Sequence, residues 1–150
     1  MFRSLIVLSL AALALASCGN SPEKPLSGRL EATDAWIASV PPSAKATGAY
    51  FTVTNGTPQT QVLEGVDCPL ARRVELHNMR MEDEMMYMER MERIEIASGE
   101  TVALQSGGLH VMLMGLTRVP AEGETVPLTL RFAGGETRAL EAAVRKPGAR

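Results

Sequence analysis

Cysteine, histidine and aromatic residues are all scarce in this chain. Its 150 residues include two cysteines and two histidines, and aromatic residues make up 4%. So few cysteines exclude a disulfide-rich scaffold. The formal net charge of −2 provides no basic field for nucleic acid. What remains is a chain long enough for one domain with its own hydrophobic core.

The N-terminus has the pattern of a secretory signal. After Met1-Phe2-Arg3, the apolar run from Leu5 to Ala16 is too short to span a bilayer as a helix. It leads into Leu15-Ala16-Ser17-Cys18, which resembles a bacterial lipobox. We therefore expect residues 1–17 to be a lipoprotein signal peptide, cleaved before Cys18, and the acylated Cys18 to anchor a periplasmic protein to a membrane. The alternative is an ordinary signal peptide, with Cys18 a free thiol.

The remainder is predicted to be a tether (residues 18–28, rich in Pro, Gly and small polar residues), one domain (29–145) and a short tail (146–150). Short β-type segments separated by turn residues predict an all-β domain, either an antiparallel sandwich or a barrel. The predicted strands are Leu30–Ile37, Ala49–Asn55, Gln61–Val66, Arg72–Met79, Met85–Met91, Arg93–Ile96, Thr101–Leu104, Leu109–Met114, Val126–Phe132 and Thr137–Val144.

Alternation within two of these strands places both histidines. Successive side chains of a strand point to opposite faces. The aliphatic set of each strand marks the core face, so His77 and His110 are expected on the opposite face, near the surface. Trp36 and Tyr50 are expected to be core aromatics, and Cys68 a buried small residue without a disulfide partner.

Four side chains form a candidate metal site: His77, Met88, His110 and Met112, spaced H-x10-M-x21-H-x-M. Two imidazoles and two thioethers, with no thiolate or carboxylate, suit Cu(I) better than other common biological metals. Thioethers also survive in an oxidising compartment, where thiolates would be lost to disulfides. The alternative is that the methionines only fill gaps in the core. Met79 and Met114 are secondary candidates, because each lies two residues beyond a candidate ligand on the same strand face.

Two stretches, Val74-Glu75-Leu76-His77-Asn78-Met79 and Gly108-Leu109-His110-Val111-Met112-Leu113-Met114-Gly115-Leu116, resemble the PCu(A)C family of periplasmic copper chaperones. The resemblance extends over about residues 29–145. It implies a cupredoxin-like antiparallel β-sandwich that binds one Cu(I) per chain through His77, Met88, His110 and Met112. It also implies copper delivery toward cytochrome c oxidase assembly, with a copper-accepting oxidase subunit or a thioredoxin-like assembly factor as partner. The tail lacks the histidines and methionines that give some members a second site.

Three other functions compete with this interpretation. An electron-transfer cupredoxin needs a cysteine thiolate between two histidines, and Cys68 has no such neighbours. An enzyme is not expected, because the sequence contains no G-x-S-x-G or H-E-x-x-H motif. A copper-buffering or resistance lipoprotein would need the same reversible binding as a chaperone, so the sequence does not separate the two. The protein is expected to be a monomer.

Overall fold

A computed structural model describes residues 26–148, so the predicted signal peptide, Cys18 and most of the predicted tether lie outside it. Every predicted strand is present within the described residues. The strands are β1 (Leu30–Ala38), β2 (Ala46–Asn55), β3 (Gln61–Asp67), β4 (Ala71–Glu82), β5 (Met85–Met91), β6 (Ile94–Ile96), β7 (Thr101–Leu104), β8 (Leu109–Leu116), β9 (Thr125–Phe132) and β10 (Thr137–Arg145).

The strands form one hydrogen-bonded sheet in the order β5-β4-β8-β2-β1-β10-β9-β3-β6, with β7 also pairing with β2. The sheet folds over so that β4, β8 and β2 share one buried core with β3, β9 and β10. The all-β prediction is confirmed. One pairing departs from a purely antiparallel sandwich: β1 and β10 run parallel. Among residues 26–148, the one helical element is a three-residue 3-10 turn, Ala133–Gly135, and no helix there is long and apolar enough to cross a membrane.

The core follows directly from alternation along the strands. In β9, Val126, Leu128, Leu130 and Phe132 are buried at every second position. Each such side chain contributes roughly 1.5–3 kcal/mol of stabilisation relative to an exposed one. Cys68 joins the core as a buried free thiol, as the sequence predicted, and burial raises the pKa of that thiol.

A β-bulge in β1 changes the face on which Trp36 lies. The register moves from Thr33 opposite Thr52 to Trp36 opposite Tyr50, so β1 carries one extra residue, and Asp34 there adopts φ 54°. After the bulge, Ile37 points into the core and Trp36 away from it. The prediction that Trp36 and Tyr50 are core aromatics was therefore wrong. They stack on each other, with ring centroids 4.3 Å apart, on the face that carries the histidines.

Asn55 links the end of β2 to two loops. The side chain is fully buried, and its Nδ2 donates to the carbonyls of Gln59 (2.7 Å), Ile96 (3.0 Å) and Ala97 (3.1 Å). Its Oδ1 accepts from the backbone N–H of Thr57 at 2.9 Å. One amide therefore satisfies several backbone groups that would otherwise lose hydrogen bonds on burial.

Replacing Asn55 with alanine should lower the free energy of unfolding by about 3 kcal/mol, because the Asn55→Ala change leaves buried carbonyls unsatisfied. Urea unfolding followed by circular dichroism measures the effect. Thr101→Ala serves as the control, since it removes only the exposed Thr54–Thr101 hydrogen bond and should cost less than about 1 kcal/mol. Equal midpoints for the two variants would contradict the linking role of Asn55.

Candidate metal centre

The pairing of β4 with β8 brings the two histidines together. His77 lies directly opposite His110, Glu75 opposite Met112 and Arg73 opposite Met114. The two imidazole rings are in an edge-to-face arrangement with centroids 5.8 Å apart. On the other face of the same strands, Leu76 and Val111 belong to the core. The predicted placement of both histidines opposite the core is therefore confirmed.

His110 is less accessible than the sequence indicated, with only 5% of its surface exposed. The ring of His77 covers one side, and the ring of Tyr50, with its centroid 6.5 Å away, lies on another. The Nδ1 atom of His110 is 2.9 Å from the carbonyl oxygen of Gly108. A carbonyl can only accept, so Nδ1 carries the proton, and Nε2 of the neutral ring keeps a free lone pair.

His77 forms its hydrogen bond through Nε2, whereas His110 uses Nδ1. Its Nε2 lies 2.9 Å from Glu75 Oε2, and an ionised carboxylate can only accept, so Nε2–H donates. The Nδ1 atom is buried and has no hydrogen-bond partner. A buried nitrogen with an unused lone pair is costly in a folded protein unless something binds it. A metal ion bound at this nitrogen would satisfy it, and a carboxylate on the other ring nitrogen is a common way to orient a ligating histidine.

Glu75 is the centre of the charge network beside the histidines. The hydrogen bond from His77 lowers the pKa of Glu75 below its usual value, and Arg90 and Arg73 add to this effect. The guanidinium groups lie 3.4 Å (Arg73) and 3.9 Å (Arg90) from Glu75 Oε1. The carboxylate therefore stays ionised and keeps accepting the His77 proton.

The two predicted methionine ligands lie on the histidine face. Met112 is two residues from His110 on β8 and pairs with Gly48 of β2. Met88 is on the edge strand β5, where His77 pairs with Arg90 and Met79 pairs with Met88. Met88 is thus diagonal to His77, a separation of about 7–8 Å between backbone positions that a long side chain spans.

The secondary candidates occupy different surroundings. Met79 shares a cross-strand pair with Met88, so it adjoins the predicted ligand set. Met114 instead receives a contact from Arg73, whose Nη2 is 3.6 Å from the Met114 sulfur. The Met114 thioether is therefore next to Arg73, on the face that carries the histidines.

Aromatic residues close the side of the site next to β2. Tyr50 leans over Gly48, where an added Cβ would lie 2.5 Å from the Tyr50 hydroxyl. Trp36 stacks on Tyr50, and the Arg145 guanidinium lies 4.7 Å from the Trp36 ring centroid. The imidazoles therefore lie between the aromatic residues on the β2 side and Met88 on the β5 side. This environment is partly dry and suits a soft ion bound through neutral donors.

Reasoning from the sequence did not assign Glu75, Gly108 or Tyr50 to the site. The signal for Glu75 was present, since an E-x-H pair on one strand places both side chains on the same face. The role of Gly108 rests on a backbone carbonyl, which no residue type reveals. Tyr50 was not assigned to the site because its sequence context does not distinguish it from an aromatic residue of the core.

The chain is similar to a family of putative lipoproteins. Residues 30–144 match the family described as "Putative lipoprotein LpqE-like". A "Putative lipoprotein Lxx21020" from Leifsonia xyli subsp. xyli is 28% identical over 142 residues, covering 94% of this chain and 84% of that protein.

Solved structures are also similar to this chain. Apo-DR1885 from Deinococcus radiodurans is 33% identical, with 99% of this chain and 98% of that chain covered and a TM-score of 0.62. Its Cu(I) form, CuI-DR1885, is 37% identical, with 85% and 83% covered and a TM-score of 0.58. The copper-bound PCuAC domain from PmoF2 matches in fold with a TM-score of 0.68 at 22% identity, over 80% of this chain and 95% of that domain.

The fold is therefore that of the cupredoxin-like PCuAC domains, as the sequence predicted. The chain belongs to the LpqE-like family within the PCuAC proteins, which confirms the resemblance seen in the sequence.

Glu75→Gln tests whether the carboxylate sets the His77 tautomer. A glutamine amide can also donate to Nε2, which would move the ring proton to Nδ1 and block the free lone pair. We expect about 10–100-fold weaker Cu(I) binding and a changed ¹⁵N tautomer signature of His77 in the apoprotein. Glu82→Gln is the control, because Glu82 lies on the same strand but points to the other face and pairs with Arg80. Wild-type affinity and tautomer in Glu75→Gln would refute this role.

Proposed function

We propose that this protein is a periplasmic copper chaperone that binds one Cu(I) through His77, Met88, His110 and Met112. The observation that carries the proposal is the opposed histidine pair. Each ring has one nitrogen fixed by a protein acceptor and one lone pair free, and the free Nδ1 of His77 is buried without a partner. The Cu(I) form of DR1885, 37% identical to this chain, supports the choice of metal.

The donor set explains the preference for Cu(I). Thioether sulfur is soft and uncharged, so two methionines favour Cu(I) over Cu(II) and over zinc, whose usual ligands are cysteine, histidine and carboxylate. Glu75, the carboxylate nearest the histidines, is occupied by His77 and two arginines. It orients a ligand and does not compete as one.

Release begins at Met88 in this scheme. Met88 is 52% exposed and lies on the edge strand of the sheet, whereas His110 is buried. A thiolate of the acceptor protein approaches from that edge, binds the ion and displaces the Met88 thioether. Because thiolates bind Cu(I) more strongly than thioethers, the exchange runs toward the acceptor, and copper remains Cu(I) throughout.

The acceptor that we propose is a cytochrome c oxidase subunit during copper-centre assembly, or a thioredoxin-like assembly factor that serves it. A lipid anchor on Cys18 would hold the chaperone at the membrane where such a partner resides. Membership in a family described as lipoproteins supports this anchor.

An electron-transfer role is disfavoured by the position of Cys68. A blue-copper centre requires a cysteine thiolate among its ligands, but Cys68 belongs to the core, whereas the histidines lie on the opposite face of the sheet. The PCuAC family is one of metal-binding carriers, which also favours transport of copper over catalysis.

Cu(I) competition with a chromogenic chelator tests the site. Wild type should bind one tight equivalent, and Met88→Ala and His110→Ala should each bind it much more weakly, because each removes a donor. Met85→Ala is the matched control: Met85 is 58% exposed on the same strand but on the other face of the hairpin. Unchanged tight binding in both ligand variants would refute the proposed site.

Deletion of the gene distinguishes delivery from buffering. If the protein delivers copper, the deletion strain should lose cytochrome c oxidase activity at limiting copper, and added copper should restore it. A strain carrying His110→Ala should behave like the deletion. Normal oxidase activity together with increased copper sensitivity would instead identify a buffering lipoprotein.

A further inference from the structure

Four methionines form a ladder on the hairpin of β4 and β5. Met79 pairs with Met88, and Met81 pairs with Met86 on the next rung of the same face. We call Met79, Met81, Met86 and Met88 the methionine ladder. Three of them are strongly exposed: Met81 by 72%, Met86 by 59% and Met88 by 52%.

We propose that the outer rung of this ladder, Met81 and Met86 together with Met79, is a second Cu(I) site that loads the histidine site. It would bind soft monovalent ions, Cu(I) or Ag(I), through thioethers alone and more weakly than the histidine site does. The existence of this second site is independent of the proposed function, whereas its loading role rests on the histidine site.

The spacing of the ladder allows its sulfurs to converge. Directly opposite residues of an antiparallel pair have Cβ atoms about 4.5–5.5 Å apart, and successive rungs on one face are about 6.8 Å apart. The flexible methionine side chain has three rotatable bonds. Three thioethers from two adjacent rungs can therefore meet at one ion without any change in the backbone.

Packing does not explain these methionines. A methionine that fills a core gap is buried, but Met81 and Met86 lie at the surface. The Glu82 carboxylate, a hard ligand, is on the other face of the hairpin, where it forms an ion pair with Arg80 at 3.5 Å. The ladder face therefore presents sulfur donors, which select soft ions over zinc or calcium.

The hairpin turn aligns the ladder with the histidine site. Asp83 and Glu84 form a two-residue turn with φ values of 49° and 63°, the left-handed conformation that matches the twist of a hairpin. The turn sets Glu82 opposite Met85, and the register that follows pairs Met79 with Met88 and His77 with Arg90. Met88 is thus one rung from Met81 and Met86 and diagonal to His77.

Transfer along this path is ligand exchange with no redox change. Cu(I) bound by Met81, Met86 and Met79 exchanges one of these thioethers for Met88, and then exchanges the other two, one at a time, for the imidazole nitrogens of His77 and His110. Each step forms one metal–ligand bond as another breaks. The ion moves from an exposed all-sulfur site to a shielded site with nitrogen donors.

The test is an Ag(I) titration followed through the ¹³C-labelled methyl groups of methionine. In wild type, the first equivalent should shift the Met88 and Met112 signals, and a second, weaker equivalent should shift Met81 and Met86. The double variant Met81→Leu with Met86→Leu preserves apolar volume and should lose only the second equivalent. Persistence of the second equivalent in that variant, or no shift of Met81 and Met86 in wild type, would overturn the proposal.

Two further variants separate this proposal from the proposed function. Met85→Leu is the control for exposed methionine, since Met85 lies on the other face, and it should bind both equivalents. His110→Ala should lose the first equivalent and keep the second, so failure of either site is seen on its own.

Loading kinetics test the relay. With Cu(I) supplied by a weak chelator, the Met81→Leu, Met86→Leu variant should fill the histidine site more slowly but reach wild-type affinity at equilibrium. An unchanged loading rate would refute the relay.

Discussion

The pairing of β4 with β8 is the constraint on which the site depends. It places His77 opposite His110 on one face and Leu76 opposite Val111 on the other. A slip of one residue in either strand would exchange these faces and bury a histidine in the core. Burial of Leu76 and Val111 opposes such a slip, so the hydrophobic core also fixes the geometry of the histidine pair. Stability and metal binding in this domain are therefore properties of the same two strands.

Hydrogen bonds then fix which nitrogen each ring offers. Glu75 takes the Nε2 proton of His77, and the Gly108 carbonyl takes the Nδ1 proton of His110. The two rings use opposite nitrogens, and both free lone pairs exist before any ion arrives. Preorganisation of this kind lowers the cost of ordering the ligands on binding. The hydrogen bond from His77, with a smaller contribution from the two arginines, lowers the pKa of Glu75, so the carboxylate stays ionised and continues to accept the His77 proton.

Local pattern predicted the strands and the faces of both histidines, because alternation depends only on neighbouring residues. It failed at Trp36, where the bulge at Asp34 inserts one residue and reverses the face. Local pattern also did not predict the parallel pairing of β1 with β10, because those two strands are far apart in the sequence. Spacing along the chain selected the four candidate ligands, but the roles of Glu75 and Gly108 depend on side-chain and backbone orientation that spacing does not encode.

Exposure and donor type change together along the β4–β5 hairpin. The outer rung is open to solvent and offers only sulfur, whereas His110, on β8 beyond the inner end of the hairpin, is buried beneath Tyr50 and His77. A copper carrier has to capture an ion quickly, retain it, and still give it up to a partner. One site meets these demands poorly, because shielding that slows loss also slows entry. In the proposed scheme, the exposed thioethers capture the copper ion and the shielded imidazoles retain it. Met88 binds the ion at both stages. An acceptor thiolate then reaches the ion through Met88, and the sheet does not have to open.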